Sequence, residues 1–316
     1  MDYETFLTIG GLALVVLLGV RVYMALGSRH SRQWMIGKSG EDTVVVRENA
    51  RFRELVFVSP TRELVQSRQD RTNKLRSGWG YVDGLHVGML LDERPRRILF
   101  LGGGACIGPR QFEAIYDDAT IDVVDSEAIV VDAAHRFFGL RTSERLRVYV
   151  ADARQFACGC SSKEYDLVVL DAYGAYCVPA HLVTTQFFEL VRRTMTDDGA
   201  FILNLIGNLD SDESSMRSIL ASIAHVFESY EIAIFAVPDP SETDGQLRRG
   251  VVRNSIALVA KKVCSAEKLA ERASSVAPEV APHLSEIVRR RFPVDVTRGR
   301  VLTDDDIAGK RWLLLD

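Results

Sequence analysis

The stretch Arg97–Gly108, RILFLGGGACIG, constrains the rest of the chain more than any other. Four apolar residues in a row, Ile98 to Leu101, predict a strand covered on both faces, as in a parallel sheet. Gly102, Gly103 and Gly104 follow directly, with Gly108 a few residues on. Glycines there let the main chain turn sharply and let a ligand approach it. Pro109 to Tyr116 opens a helix, since a proline suits the first turn. Strand, Gly-rich loop and helix make the nucleoside-binding end of a doubly wound α/β domain, although the same loop would also serve as a plain structural turn.

The alternation then repeats. Strands are expected at Ile121–Val124, Leu146–Val150, Leu167–Leu170 and Ala200–Leu205, and helices over Glu127–Phe138, Thr184–Thr196 and Met216–Phe227. A turn at Asp197–Gly199 precedes the fifth strand. Glu231–Val237 and Ser255–Val259 read as closing strands around a loop, Pro238–Arg253, and Ser265–Arg291 as a charged helical stretch. Upstream, the β-branched and apolar runs Thr43–Val46, Leu55–Val58 and Leu64–Ser67 predict a small antiparallel sheet. Asp70–Gly80 reads as a loop and Gly80–Leu91 as a helix.

Composition excludes some functions. The net charge of −4 offers no basic surplus for nucleic acid. The five cysteines are odd in number and irregularly spaced, which fits reduced thiols and not a disulfide frame. Cys158-Gly-Cys160 has no companion pair at zinc spacing, so no metal is expected. Phe6–Leu26 is apolar over a length that spans a bilayer. Asp2 and Glu4 precede it, and Arg29, Arg32 and Lys38 follow. The expectation is a single-pass membrane protein with its N-terminus outside and the remainder on the cytoplasmic side. The absence of a basic region before the apolar run argues against a signal peptide. The expected organisation is an anchor (1–27), a polar linker (28–40), a small β-domain with a substrate-side helix (41–92), a Rossmann-like cofactor domain (93–262) and a helical extension with an acidic tail (263–316).

Three expected strands end in an aspartate: Asp125, Asp152 and Asp171. Each alone would serve as a helix N-cap. In an open parallel sheet, however, ligands bind beyond the carboxyl ends of the strands, so all three point to one site above Gly102–Gly104. Asp125 would accept ribose hydroxyls, Asp152 an adenine amino group, and Asp171 would face the reacting end.

Taken as a linked set, RILFLGGGACIGPRQF, IDVVDSEAIVVDAAHRFF, LRVYVADARQF, YDLVVLDAYGAYCVPAHLVTTQFFELVRRTMTDDGAFILNLIG and VLTDDD resemble spermidine synthase and its relatives, the polyamine aminopropyltransferases. The resemblance runs over about residues 41–306 and is closest to a branch often joined to membrane segments. It implies a Rossmann-like fold of the adenosylmethionine-dependent methyltransferase type behind a small β-domain. It also implies decarboxylated adenosylmethionine as donor, a small-molecule amine as acceptor, and polyamine biosynthesis as the setting. In that resemblance Gln66 contacts the cofactor together with Gly102, Gly103, Gly104, Asp125, Asp152 and Ala153. Tyr81 and Asp83 start the helix beside the substrate, Tyr173 walls the acceptor pocket, and Asp171 is the base that takes a proton from the attacking amine. His181 matches a histidine of the branch and is read as packing. A homodimer is allowed by the sequence, not required by it.

Two departures bear on the reaction. The family carries an Asp after its third loop glycine, where this chain has Ala105, and a second Asp three residues after the base, where it has Gly174. Two carboxylates that would hold cationic ends of donor and acceptor are therefore missing, at roughly 1.5–3 kcal/mol per charged hydrogen bond. Asp83, Asp304 and Asp305 are candidates to replace that charge. Ala105 would not repel the carboxylate of intact adenosylmethionine. A methyltransferase of unknown acceptor, and a cofactor-binding protein without catalysis, therefore stand beside the aminopropyltransferase.

Overall fold

Alternate residues of Arg97–Leu101 go to opposite sides of one sheet. Ile98 and Phe100 enter one apolar cluster; Leu99 and Leu101 enter another. That two-sided burial is the physical reason Ile98–Leu101 carries no polar residue. The computed structural model describes residues 32–91, 94–173, 177–208, 215–238, 252–296, 298–310 and 312–314.

Four antiparallel strands come first: β1 (Arg32–Ser39), β2 (Asp42–Glu48), β3 (Phe52–Val58) and β4 (Glu63–Asp70), in that spatial order. The short helix α1 (Tyr81–Gly84) continues into a 3-10 turn, Leu85–Leu90. The main sheet then runs through β5 (Arg97–Leu101), α2 (Ile107–Ile115), β6 (Thr120–Asp125), α3 (Ala128–Phe137), β7 (Leu146–Val150), α4 (Ala153–Gly159) and β8 (Tyr165–Leu170). After β9 (Cys177–Pro179) come α5 (Thr185–Thr194), β10 (Met195–Gly207), α6 (Ser215–Val226), β11 (Glu231–Ala236) and β12 (Arg253–Ala260). Two helices, α7 (Ala266–Val276) and α8 (Ala281–Arg289), precede the short strands β13 (Arg291–Phe292) and β14 (Trp312–Leu314).

The eight strands of the main sheet lie in the order β13-β11-β12-β10-β8-β5-β6-β7. β10, β8, β5, β6 and β7 pair in parallel, and β12, β11 and β13 add on antiparallel. From β5 the chain winds outward through β6 and β7, then crosses back to β8 on the other side of β5. The strand order reverses there, which places the ligand crevice beyond the ends of β5 and β8. The small sheet packs Val44, Val46 and Leu55 against Ala105, Ile107, Val130 and Ala133, and Ser67 of β4 borders the Gly-rich loop.

Several expectations are corrected. Residues 32–39, read as linker, form β1, which turns into β2 at Gly40 (φ +57°). Trp34 and Ile36 alternate toward the α3 side of the core, a short period-2 signal lost among polar neighbours. The expected helix over Gly80–Leu91 is α-helical only to Gly84. The turn at Asp197–Gly199 is an irregularity inside β10, where the register with β8 shifts between Met195 and Ala200. The single-pass membrane placement is overturned: among the described residues no helix is long and apolar enough to cross a membrane. The proposed span Phe6–Leu26 lies outside the described residues, as do Gly174 and 239–251 of the expected loop.

Candidate active site

Gly102 carries the first constraint. Its φ is +98°, and a Cβ there would sit 2.2 Å from the main-chain oxygen of Asp171. Only glycine lets the end of β5 come so close to the end of β8. The Asp171 N–H donates to the Leu101 carbonyl at 2.9 Å, fixing the base candidate directly beside the loop.

One side chain is bonded to the Asp171 carboxylate and a second lies near it. Asn204 of β10 donates its Nδ2 to Oδ1 at 2.9 Å, and the Tyr81 phenol of α1 lies close enough to be felt by the carboxylate. Packing strips the carboxylate of water and pushes its pKa above the usual range, while the Asn204 and Tyr81 donors pull it back. The same burial, with Asp171 beside it, raises Tyr81 well above an ordinary tyrosine. Tyr173 donates its hydroxyl to the Asn204 carbonyl, and Gln66 of β4 donates Nε2 to the Tyr173 carbonyl at 2.8 Å. Gln66, Tyr81, Tyr173, Asp171 and Gly102 are thus one connected group. Asn204 was missed in the sequence; its signal was a lone amide in the apolar run of β10. Its Oδ1 is buried and has no hydrogen-bond partner among the described residues.

Asp125 ends β6 under the same loop. Its Oδ2 accepts from Gly103 N at 3.1 Å and Gly104 N at 2.9 Å; its Oδ1 accepts from Glu127 N at 3.0 Å. Burial raises its pKa, and these three N–H groups oppose the rise. Ser67 of β4 accepts from Ala105 N at 3.0 Å, so position 105 is a buried methyl with its N–H already bound. Asp152 follows β7, and Ala151 N donates to the Asp125 carbonyl at 3.1 Å, which sets the ends of β6 and β7 side by side. Asp152 Oδ1 caps α4 by accepting from Gln155 N at 2.9 Å, and Ala153 is buried as the first residue of that helix.

Asp83 is placed elsewhere. Its Oδ1 accepts from Gln111 Nε2 at 3.0 Å, and its Oδ2 lies 2.9 Å from His283 Nδ1 and 3.9 Å from Arg76. Gln111 in turn meets His86, whose other nitrogen is 2.7 Å from the Tyr116 hydroxyl. Asp83 therefore anchors α1 to α2 and α8 from behind Tyr81; none of these partners belongs to the Asp171 group. Asp304 forms a bidentate pair with Arg154 and does not reach the Asp171 group through any of these contacts. Among the described residues no group of three or more His, Cys, Asp or Glu is arranged to hold a metal.

The spermine/spermidine synthase domain model matches residues 84–244, or 161 of 316 residues. The chain belongs to that family. A polyamine aminopropyltransferase of Vibrio vulnificus is 30% identical over 189 residues, covering 58% of this chain and 63% of that protein. An eEF1A lysine and N-terminal methyltransferase of Bos taurus is 28% identical over 148 residues, 44% of this chain and 21% of that protein. The chain thus spans less than two thirds of the length of either relative. A probable spermidine synthase from Corynebacterium glutamicum superposes with a TM-score of 0.63 at 19% identity, over 85% of this chain and 98% of that one. That likeness establishes the fold: a Rossmann-like, mostly parallel α/β domain with a small N-terminal β-sheet.

Proposed function

We propose that this chain is a spermidine synthase-like transferase that moves an aminopropyl group from decarboxylated adenosylmethionine to a small amine. One observation carries the reading: a carboxylate, Asp171, stands at the topological switch point against the Gly-rich loop, held by Asn204. In such a reaction the amine nitrogen forms a bond to the methylene beside the sulfonium. The carbon–sulfur bond breaks toward sulfur, and methylthioadenosine leaves. The attacking nitrogen must shed a proton, and Asp171 accepts it. Burial that raises the carboxylate pKa brings it nearer the operating pH, which strengthens it as a base. Asp125 would receive the ribose hydroxyls and Asp152 the adenine amino group, with Gln66, Gly102–Gly104 and Ala153 around them. Tyr81 and Tyr173 would border the amine.

A second reading, methyl transfer from intact adenosylmethionine, rests on Ala105. That position presents a buried methyl, with its N–H bound by Ser67, where the family has a carboxylate. A binding protein without turnover is the third. The test is to supply the full-length chain with either donor and a panel of primary amines, then separate the nucleoside products. Amine-dependent release of methylthioadenosine, falling at least about a hundredfold in Asp171→Asn, supports aminopropyl transfer. Release of adenosylhomocysteine from the intact donor would replace it with the methyltransferase. Donor binding without either product leaves the non-catalytic reading.

A further inference from the structure

Asp152 is held as no ordinary helix cap requires. A cap needs one carboxylate oxygen, and Oδ1 supplies it to Gln155 N. The other oxygen, Oδ2, accepts from His181 Nε2 at 2.7 Å, although both side chains keep about a third of their surface in contact with solvent (32% and 38%). His181 belongs to a different element, the 3-10 turn Ala180–Leu182 that follows β9. Its own main chain is fixed in turn: Arg154 Nη1 donates to the His181 carbonyl at 3.2 Å, while the same guanidinium grips Asp304 at 2.8 and 2.6 Å. Asp304 N donates to Gln186 Oε1 at 3.0 Å. The Leu302 carbonyl accepts from Thr185 N, and Leu302 N donates to Ser222 Oγ, both at 2.8 Å. A strap from the C-terminal segment therefore braces His181, and His181 braces Asp152.

We infer that His181 is a positioning residue for nucleobase selection: it locks the Asp152 carboxylate so that its remaining lone pairs meet a donor on the base edge. The inference rests on the reading that Asp152 faces the base. A carboxylate with one bond on each oxygen still has acceptor capacity on both, and it has no donor to offer. Adenine presents an amino group at that edge; hypoxanthine presents a carbonyl oxygen there. A fixed acceptor welcomes the first and repels the second, and a site built for one hydrogen bond discriminates far better than an apolar pocket does. A carboxylate free to rotate would swing away from the carbonyl and lose that discrimination. Asp304 acts in the same direction, one step further out, through Arg154.

The test measures binding of methylthioadenosine and methylthioinosine to the full-length chain by calorimetry. The wild type should prefer methylthioadenosine by about tenfold or more, the worth of one charge-assisted hydrogen bond. His181→Ala should cut that preference severalfold, Asp304→Asn should cut it less, and His181→Gln, which keeps a donor, should restore it. A role in stability alone would lower the thermal midpoint and leave the ratio of the two affinities unchanged, which would overturn the inference. Should His181→Ala fail to fold, the same ratio in His181→Gln and Asp304→Asn decides. If the wild type binds neither nucleoside, the cofactor reading falls and takes this inference with it. If it binds both with a preference indifferent to His181, the inference alone fails.

Discussion

Replacing Gly102 with Ala tests the junction on which the site depends. The cost has three parts. An L-residue at φ +98° pays about 1–2 kcal/mol for its backbone. The new Cβ would lie 2.2 Å from Asp171 O, 2.6 Å from Asp171 C and 2.9 Å from Ala172 N, all main-chain atoms that cannot rotate aside. Opening the ends of β5 and β8 far enough costs about 1–3 kcal/mol, as for other overpacked sites. The move also strains the 2.9 Å bond from Asp171 N to Leu101 O, worth about 1 kcal/mol. The sum is about 3–6 kcal/mol, and the damage centres on the loop and Asp171. Gly40 supplies the control: its φ is +57°, yet a Cβ there would meet nothing within 4 Å. Gly40→Ala should therefore show the backbone cost alone. Urea unfolding followed by circular dichroism gives both values. Equal losses in the two variants would refute the close approach of β5 and β8, and with it the argument that glycine is required to seat Asp171.

Other expected outcomes follow from buried polar groups. His86 is buried neutral with its pKa lowered to about 4, chiefly by burial, so it stabilises the fold fully above about pH 6.5 and that contribution is lost as pH falls toward 4. The loss is on the order of 3 kcal/mol, and a His86→Phe variant, titrated in parallel by thermal melting, should show a flatter acid limb. Asp171 has the opposite sign: its raised pKa means ionisation opposes folding once the pH passes the ordinary carboxylate range. Asp171→Asn should accordingly gain stability at pH 8 relative to wild type and show little gain at pH 3; a pH-independent difference would contradict the burial argument. Asp122 is buried, pairs with Arg147 at 2.7 Å and accepts from the Tyr165 hydroxyl at 2.9 Å. Asp122→Ala should cost about 2–4 kcal/mol in urea unfolding, and Tyr165→Phe about 1 kcal/mol.

Much of the molecule was legible where a single period dominated. The central strands announced themselves as short, largely apolar runs, unbroken in Ile98–Leu101 and Leu167–Leu170, and Asp125, Asp152 and Asp171 do stand at or just past the ends of β6, β7 and β8. The chain from Gly102 to Asp171 could be read because strand ends, turns and caps there all agree. What escaped were pairings between distant segments. The strand Trp312–Leu314 finds its partner in Cys177–Pro179, a ladder too short to leave any period. Asn204, Ser67 and Arg154 were silent because one polar residue in a strand or helix carries no sign of what it will face. Asp83 was silent in the same way: nothing in the sequence announced that its carboxylate would bond Gln111 and His283.

The bonds from Gly103 and Gly104 to Asp125 have a further consequence for ligand choice. In doubly wound folds, the main-chain N–H groups of this first loop commonly form a nest for the phosphates of a dinucleotide. Here the nest already holds an anion, supplied by the chain itself. A pyrophosphate arriving at that spot would have to evict a carboxylate and then sit beside its charge. A loop filled from within suits the proposed nucleoside donor, which brings no phosphate, better than it would suit a phosphorylated nucleotide.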